Sequence, residues 1–417
     1  MPADAAVVER HDPYASLRVR NYRWFIVSLF TMTVGSQIQV IVVSWQIYNL
    51  THDPLSLGLI GLAEALPFIG VALYAGHIAD RRDRRRVSQA ALVVLLGCAG
   101  ALLAFNLVPG FLGRVGAWPF FAVIFVSGIA RSFLQPARNA LGADIVPRAL
   151  YSNSVAWRSS TWQTAAVVGP AVGGLLYGFS GPRLAYEVQV VLLAISVVSF
   201  AVIAYERRVL EQASQSITES LKSGVRFVFS EPVLLSALLL DLFSVLLGGA
   251  EALLPVFASD ILHVGAKGLG VLRAAPAAGA VVMSIYLAHR PPFRRAGRTL
   301  LLAVAGFALC IIGFGVSRSF AFSVVLLFLS GGADNVSVVI RGTLLQVLTP
   351  EHLLGRVSSV NAIFIGSSNE IGAFESGVAA RLLGTIPAVL FGGFASLAVV
   401  GVIAARVPQL RRLERIE

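Results

Sequence analysis

Apolar runs of about 20 residues, the length that crosses about 30 Å of hydrocarbon, recur along almost the whole chain and exclude most other folds. Twelve are read, at 24–48, 54–79, 87–108, 118–141, 153–178, 184–205, 232–258, 266–288, 298–316, 320–345, 357–383 and 386–406. Of the 417 residues, 56% are hydrophobic and 13% charged, whereas a soluble domain carries about 45–50% and about 25%. The expectation is an all-α membrane protein of twelve transmembrane helices. Its segments are 1–23, an N-terminal tail; 24–205, a six-helix bundle; 206–231, a linker; 232–406, a second six-helix bundle; and 407–417, a C-terminal tail.

Charge placement sets the orientation. The loop Gly76 to Arg86 holds Arg81, Arg82, Arg84, Arg85 and Arg86 between two apolar runs. Each arginine would cost about 2.5–3.5 kcal/mol at the bilayer centre, so the loop lies at a membrane surface. By the excess of arginine on the inner side, that surface is cytoplasmic. Arginines recur in alternate connections, at Arg148, Arg207 and Arg208, at Arg290, Arg294, Arg295 and Arg298, and at Arg356 and Arg406. Both termini are therefore expected in the cytoplasm, and the protein in the bacterial cytoplasmic (inner) membrane. The net charge of +11 then belongs beside anionic lipid headgroups rather than nucleic acid. The linker places Leu221, Val225 and Val228 at helical spacing, the pattern of an amphipathic helix on the membrane surface.

Several chemistries find no support. No cleavable signal peptide is read in the first 23 residues. Cys98 and Cys310 fall in spans of opposite halves, which argues against a disulfide or a metal site. No nucleotide-binding loop or hydrolase motif stands out, so no cofactor is expected and the chain reads as no enzyme.

The halves repeat. Pro147, Gly169 and Gly174 recur at one constant offset as Pro350, Gly372 and Gly377, and Tyr74 and His77 have counterparts in Tyr286 and His289. An even number of spans separates equivalent helices, so the halves share one orientation, the parallel repeat of a transporter with its site between two bundles.

The loop Gly76, Asp80, Arg81, Arg84 and Arg85 resembles the signature between the second and third helices of the major facilitator superfamily, G-x-x-x-D-R-x-G-R-[KR], with Asp83 in place of the second glycine. Gly169, Pro170, Gly173 and Gly174 resemble the GPxxGG element of its drug and proton antiporters. Gln135-Pro136-Ala137-Arg138 to Asp144-Ile145-Val146-Pro147, with Leu348-Thr349-Pro350-Glu351 to Gly355-Arg356-Val357, resembles its enterobactin-exporter-like branch. The R-x-x-Q-G element of many relatives is missing, since Val126-Ser127-Gly128 stands where it would fall. The resemblance implies secondary transport by alternating access, a monomer, and a cytoplasmic latch of Gly76, Asp80, Arg84 and Asp144. Asp80 and Arg84, one helical turn apart, would face the inner end of the eleventh span near Val357.

Ionisable residues inside spans are functional candidates because lipid tolerates them poorly. The resemblance makes spans 1, 4, 7 and 10 line the cavity, which singles out Gln37, Gln39, Trp45, Arg131, Phe243 and Asn335 as substrate contacts. Asp241 and Asp334 lead as proton carriers, followed by Glu251, Glu64 and Glu370, because a desolvated carboxyl can titrate near neutrality. Arg131 and Asp334 are expected to meet or to share a polar chain. The cavity is expected to be mostly apolar and aromatic, with Tyr48, Trp157, Trp162 and Phe257 as further stacking surfaces. The resulting expectation is a proton-coupled exporter of a small amphiphilic molecule, siderophore or drug-like, with membrane lipids, protons and that substrate as partners. A lipid flippase or nutrient importer is the alternative within transport; a non-transporting sensor or scaffold is the alternative outside it.

Overall fold

The computed structural model describes residues 12–205, 217–290 and 293–413, and within these it leaves a few side chains, Asp80 and His77 among them, outside the description. The described chain is all helix and turn. The first helices are α1 (Arg20–Thr51), α2 (Pro54–Arg81), α3 (Arg84–Leu107), α4 (Trp118–Asp144) and α5 (Tyr151–Val202). A shorter α6 (Ile217–Ser230) is followed by α7 (Pro232–Leu247), α8 (Gly265–Ala288), α9 (Ala296–Val316), α10 (Phe320–Leu348), α11 (Glu351–Leu383) and α12 (Thr385–Arg406). Ten helical segments among the described residues are long and apolar enough to cross a membrane.

Two helices depart from simple spans. In α5, Gly181 adopts φ 75° and ψ −174° ahead of Pro182, a backbone pairing that glycine reaches without a Cβ penalty. The 52-residue helix is thus two arms, 151–180 and 182–202, of about 45 Å and about 31 Å at 1.5 Å per residue. Helix α11 has 33 residues, about 50 Å of length, but its Ser358, Ser359, Asn361, Ser368, Asn369, Glu370 and Glu375 hold its hydropathy below that of the ten. Its polar residues are tolerated because the helix packs along α2 rather than standing alone in lipid.

The sequence places the helix starts. Asp53 caps α2 through Leu55 N–H at 3.0 Å, with Pro54 at the first helical position. Asp83 does the same for α3, accepting from the backbone of Arg85 at 2.9 Å and Arg86 at 3.2 Å. The Arg81–Arg86 loop is therefore a helix end, two extended residues at Arg82 and Asp83, and a helix start capped by the second of them. This corrects one expectation. Asp80 and Arg84 do not share a helical turn, because the carboxylate of Asp83 opens a new helix between them. It also accounts for the missing glycine, since Asp83 sits at φ −64° and needs no left-handed backbone.

The seventh span, expected over 232–258, is a continuous helix only to Leu247. It then breaks at Gly248–Gly249 into a 3-10 turn, Ala250–Leu253, and ends in a π-helical turn, Phe257–Ile261. The linker helix, α6, forms, but Val228 is fully buried with Leu234, Leu238, Leu345, Val357 and Val360. Part of its apolar face is thus spent on protein, while Val225 and Phe229 stay exposed. Residues 206–216, with Glu206, Arg207, Arg208 and Glu211, lie outside the described residues.

Apolar burial contributes little to association where lipid is the alternative, so close backbone approach and polar links matter more. Both are present. In the first half Ser28 bonds Ser196 at 2.6 Å, Gln39 accepts from Gln189 at 2.7 Å, and Gln46 joins Asn106 at 2.6 Å and Tyr186 at 2.7 Å. Between the halves, a Cβ on Gly377 would stand 2.7 Å from Gly58 Cα, and one on Gly174 2.7 Å from Gly270 Cα. A shared apolar cluster joins Ile41, Trp45, Tyr48 and Leu57 to Leu254, Phe257, Leu269 and Phe314. All of these cross-half contacts lie toward the arginine-poor end. There Tyr48 donates to Asp260, Arg381 pairs with Asp53 at 3.2 Å, and the Lys267 ammonium stands 3.4 Å from the centre of the Phe179 ring.

Candidate functional site

A cavity of about 430 Å³ lies between the halves, lined from α1, α2, α4, α8, α9, α10 and α11 and from the broken end of α7. Its chemistry follows from which faces these helices turn inward. Glu64, Arg131, Glu251, Arg273, Asp334 and Glu370 all line it, with Gln39, Ser44, Ser127 and Asn369, and with Phe307 as the aromatic member. The wall is mostly apolar, as expected, with Ile41, Leu57, Ile60, Ile124 and Leu269 among its residues, but it is not aromatic, and it carries a cluster of charged side chains instead. The aromatic side chains went elsewhere. Trp45 and Phe257 are buried in the cluster that joins the halves, Trp162 is exposed, and Trp157 donates to Pro13 O at 2.9 Å.

The charges sort into pairs and remainders. Arg131 pairs with Glu64, and Arg273 pairs with Glu251 at 3.3 Å while also donating to the Glu251 carbonyl at 3.1 Å. Asp334 and Glu370 make no hydrogen bond or ion pair among the described residues, so the lining holds two more carboxylates than guanidinium groups. Arg131 and Asp334 do line one cavity, but Arg131 turns to Glu64 and no bond joins it to Asp334 among the described residues. Asp241 is buried and forms an ion pair with Arg341, both under 10% exposed, behind the lining rather than in it.

The remaining expected contacts are not at the cavity wall. Gln37 packs against Gly169, where a Cβ would meet its side chain at 2.5 Å. Asn335 accepts from Ser284 Oγ at 3.0 Å on α8. Phe243 is half-buried on α7. Arg341, Arg273 and Asp260 went unnoticed as functional candidates. Arg341 had a signal, for it follows Asp334 by two helical turns on one helix and so shares its face. Arg273 and Asp260 had none, because each meets its partner across a packing contact rather than along a helix.

At the arginine-rich end Arg84 pairs with Asp144 at 2.6 Å, and Asp144 also accepts the Tyr205 hydroxyl at 2.8 Å. Burial, with the bond to Asp144 next, pushes the Tyr205 phenol up to about 12, so it remains a donor. The latch residue Asp80 has its side chain outside the description, and a Cβ on Gly76 would meet nothing within 4 Å. Val357, the expected landing point on α11, is buried against α6 and α7 instead. In the GPxxGG segment, a Cβ on Gly173 would stand 3.1 Å from Ile38 Cα, and one on Gly270 2.7 Å from the Pro170 carbonyl.

The fold has many solved counterparts. A POT family transporter in complex with 5-aminolevulinic acid superimposes with a TM-score of 0.73 at 12% identity, covering 94% of this chain and 96% of that one. The nucleoside transporter NupG gives 0.68 at 13%, covering 92% and 98%. This helix arrangement is the fold of those solved transporters, a multi-pass integral membrane protein. Residues 11–417 match the family described as transmembrane secretion effectors, and the chain belongs to it: a secondary transporter of the major facilitator superfamily working by alternating access in the inner membrane, and not an enzyme. It is similar to the enterobactin exporter EntS of Shigella boydii serotype 18, 26% identical over 407 residues, or 94% of this chain and 93% of that protein. The enterobactin exporter EntS of Escherichia coli O1:K1 gives the same identity and coverage.

Proposed function

We propose that the chain is a proton-coupled exporter of a small amphiphilic molecule, siderophore or drug-like. It would work as two six-helix bundles, twelve spans in all, with both termini in the cytoplasm. The two arms of α5 and the long α11 supply the spans beyond those counted on hydropathy. The cross-half contacts at the arginine-poor end support a state closed on the outer side. The observation that carries the coupling is the pair Asp334 and Glu370, two cavity carboxylates on one half that lack the guanidinium partners given to Glu64 and Glu251. An unpaired carboxyl in a dry site takes up a proton and gives it up when water or a cationic group arrives. Asp241, already committed to Arg341, is the weaker carrier. Similarity to enterobactin exporters favours export and a siderophore; the drug and proton antiporter reading rests on the GPxxGG segment.

The test is proton flux in proteoliposomes under an imposed pH gradient, with a panel of siderophores and lipophilic cations. Ligand-stimulated flux in the wild type, lost in Asp334→Asn or Glu370→Gln and retained in part in Asp241→Asn, is the expected result. Stimulated flux that survives loss of both cavity carboxylates would overturn their role. Folded protein with no stimulated flux but with headgroup movement in a lipid-scrambling assay would favour the flippase.

A further inference from the structure

The two halves pack equivalent helices in equivalent register. A Cβ on Gly128 of α4 would stand 2.9 Å from the Glu64 carbonyl on α2, and one on Gly331 of α10 would meet the backbone of Pro276 on α8. Gly331 follows Gly128 at the offset that relates Pro147 to Pro350, and Pro276 follows Glu64 at the offset that relates Tyr74 to Tyr286. In the first half this contact carries an ion pair, between Glu64 and Arg131, one turn along α4 from Gly128. In the second half Asp334 stands at the position of Arg131, and Arg273 stands one turn before Pro276 on α8. The polarity is reversed, and the pair is not made.

Arg273 and Asp334 line the same cavity. Both helices run from the arginine-poor to the arginine-rich end, and the two residues lie three positions to either side of the Gly331–Pro276 contact. That sets them about 9 Å apart along the axis at 1.5 Å per residue, within the reach of an extended arginine side chain. What holds Arg273 away is its pair with Glu251 at 3.3 Å, in which Glu251 is 55% and Arg273 27% exposed. Pairs as open as this are weakly held. Glu251 belongs to the 3-10 turn after the break at Gly248–Gly249 and lies on the cavity wall, where a ligand meets it. The other charges about Asp334 are committed or acidic: Arg131 pairs with Glu64, Arg341 with Asp241, and Glu370 is a second carboxyl.

We propose that Arg273 is the positioning residue that couples ligand binding to proton release. A ligand that presents a cation or a hydroxyl donor to Glu251 takes that acid from Arg273. The guanidinium then turns to Asp334, stabilises its carboxylate and drives its proton into the water of the cavity. When the ligand leaves, Arg273 returns to Glu251 and Asp334 takes up the next proton. The proposal rests on Asp334 as a proton carrier, and it adds the group that discharges that carrier and the acid at which the ligand is sensed.

Glu251→Gln imitates the occupied state without a ligand, because a neutral amide holds a guanidinium less well than a carboxylate does. The readout is labelling of Asp334 by dicyclohexylcarbodiimide, which reacts with a protonated carboxyl, scored by mass spectrometry on full-length protein in nanodiscs across a pH series. The pH of half-labelling should fall by about one unit or more in Glu251→Gln, a loss of about tenfold in proton affinity, and likewise in Glu251→Ala. It should return to the wild-type value in Glu251→Gln with Arg273→Gln, and fall again in part in Glu251→Gln with Arg273→Lys. An equal fall in Glu64→Gln, which removes the same charge from the same cavity and frees Arg131 instead, would mean that Asp334 senses only the field of the cavity, and overturns the proposal. An unchanged value in both Glu251 variants also overturns it, and leaves Asp334 standing as a carrier. Absence of Asp334 labelling at every pH in every variant removes the carrier role, and this proposal with it.

Discussion

Arg341 and Asp241 show how much depends on a single buried pair. Removing one partner leaves the other charge buried alone, which costs about 3–5 kcal/mol, whereas replacing both by apolar residues of similar volume is often neutral. Arg341→Met should therefore lower stability by about that amount, and Arg341→Met with Asp241→Leu should recover most of it, as read from denaturant unfolding in detergent. Arg138→Met, at the equivalent position of the first half, breaks no ion pair among the described residues and should leave stability unchanged or higher. A loss as large as that of Arg341→Met would mean that Arg138 holds a counter-charge within the protein. The residues of this contrast were only half legible. Asp241, Asp334 and Glu370 announce themselves as acids in apolar spans, but which acid owns an arginine depends on rotation about the helix axis, and that is set by packing. Asp83 is the opposite case, a departure from the family pattern whose meaning is local, because a side chain that caps the next helix serves the turn as well as a glycine would.

Helices α5 and α8 meet where Gly174 faces Gly270, and α2 and α11 where Gly58 faces Gly377. A side chain on Gly174 or Gly377 forces the backbones apart, since the added carbon would stand 2.7 Å from the opposing Cα. Gly174→Val should therefore cost about 1–3 kcal/mol, and the cost falls on the state in which the arginine-poor end is closed. Transport should fall while the protein stays folded; a cysteine introduced by Gln39→Cys in the cavity should react faster with an impermeant thiol reagent added at that face. Unchanged labelling would show that the crossing tolerates the volume. Most helix ends were readable from length and hydropathy to within a few residues, and GPxxGG marked one side of this crossing. Gly270 and Gly58 carry no such mark, because a lone glycine in an apolar run says nothing about what lies opposite. The break after Leu247 was missed for a related reason. Gly248 and Gly249 sit in a run apolar enough to read as continuous helix, and only the close approach of α11, with Leu246 O 2.9 Å from a Cβ on Gly372, fixes where the chain turns.

Across the whole molecule, the arginine-poor end is held by contacts of separate kinds, and their sum sets how often it opens. Tyr48 donates to Asp260, a hydrogen bond to a charged acceptor, worth about 1.5–3 kcal/mol. The Asp53–Arg381 pair at 3.2 Å is partly exposed, at 32% and 56%, and contributes about 0–1 kcal/mol. Both exist only while the two halves touch at this end, so deleting them changes the balance between states more than it changes folding. Tyr48→Phe combined with Arg381→Gln should remove about 2 kcal/mol from the closed form, a shift of about thirtyfold toward the state open at that face. In a background of Cys98→Ser and Cys310→Ser, labelling of Gln39→Cys from the arginine-poor side should then accelerate by a factor of that order, while labelling from the arginine-rich side slows. Arg84→Gln should do the reverse if the Arg84–Asp144 pair at 2.6 Å supports closure at its own end, because a latch and a gate at opposite ends of one rocking body compete for the same equilibrium. Equal changes at both faces in either variant would mean that the contacts hold the fold together rather than choose between its states.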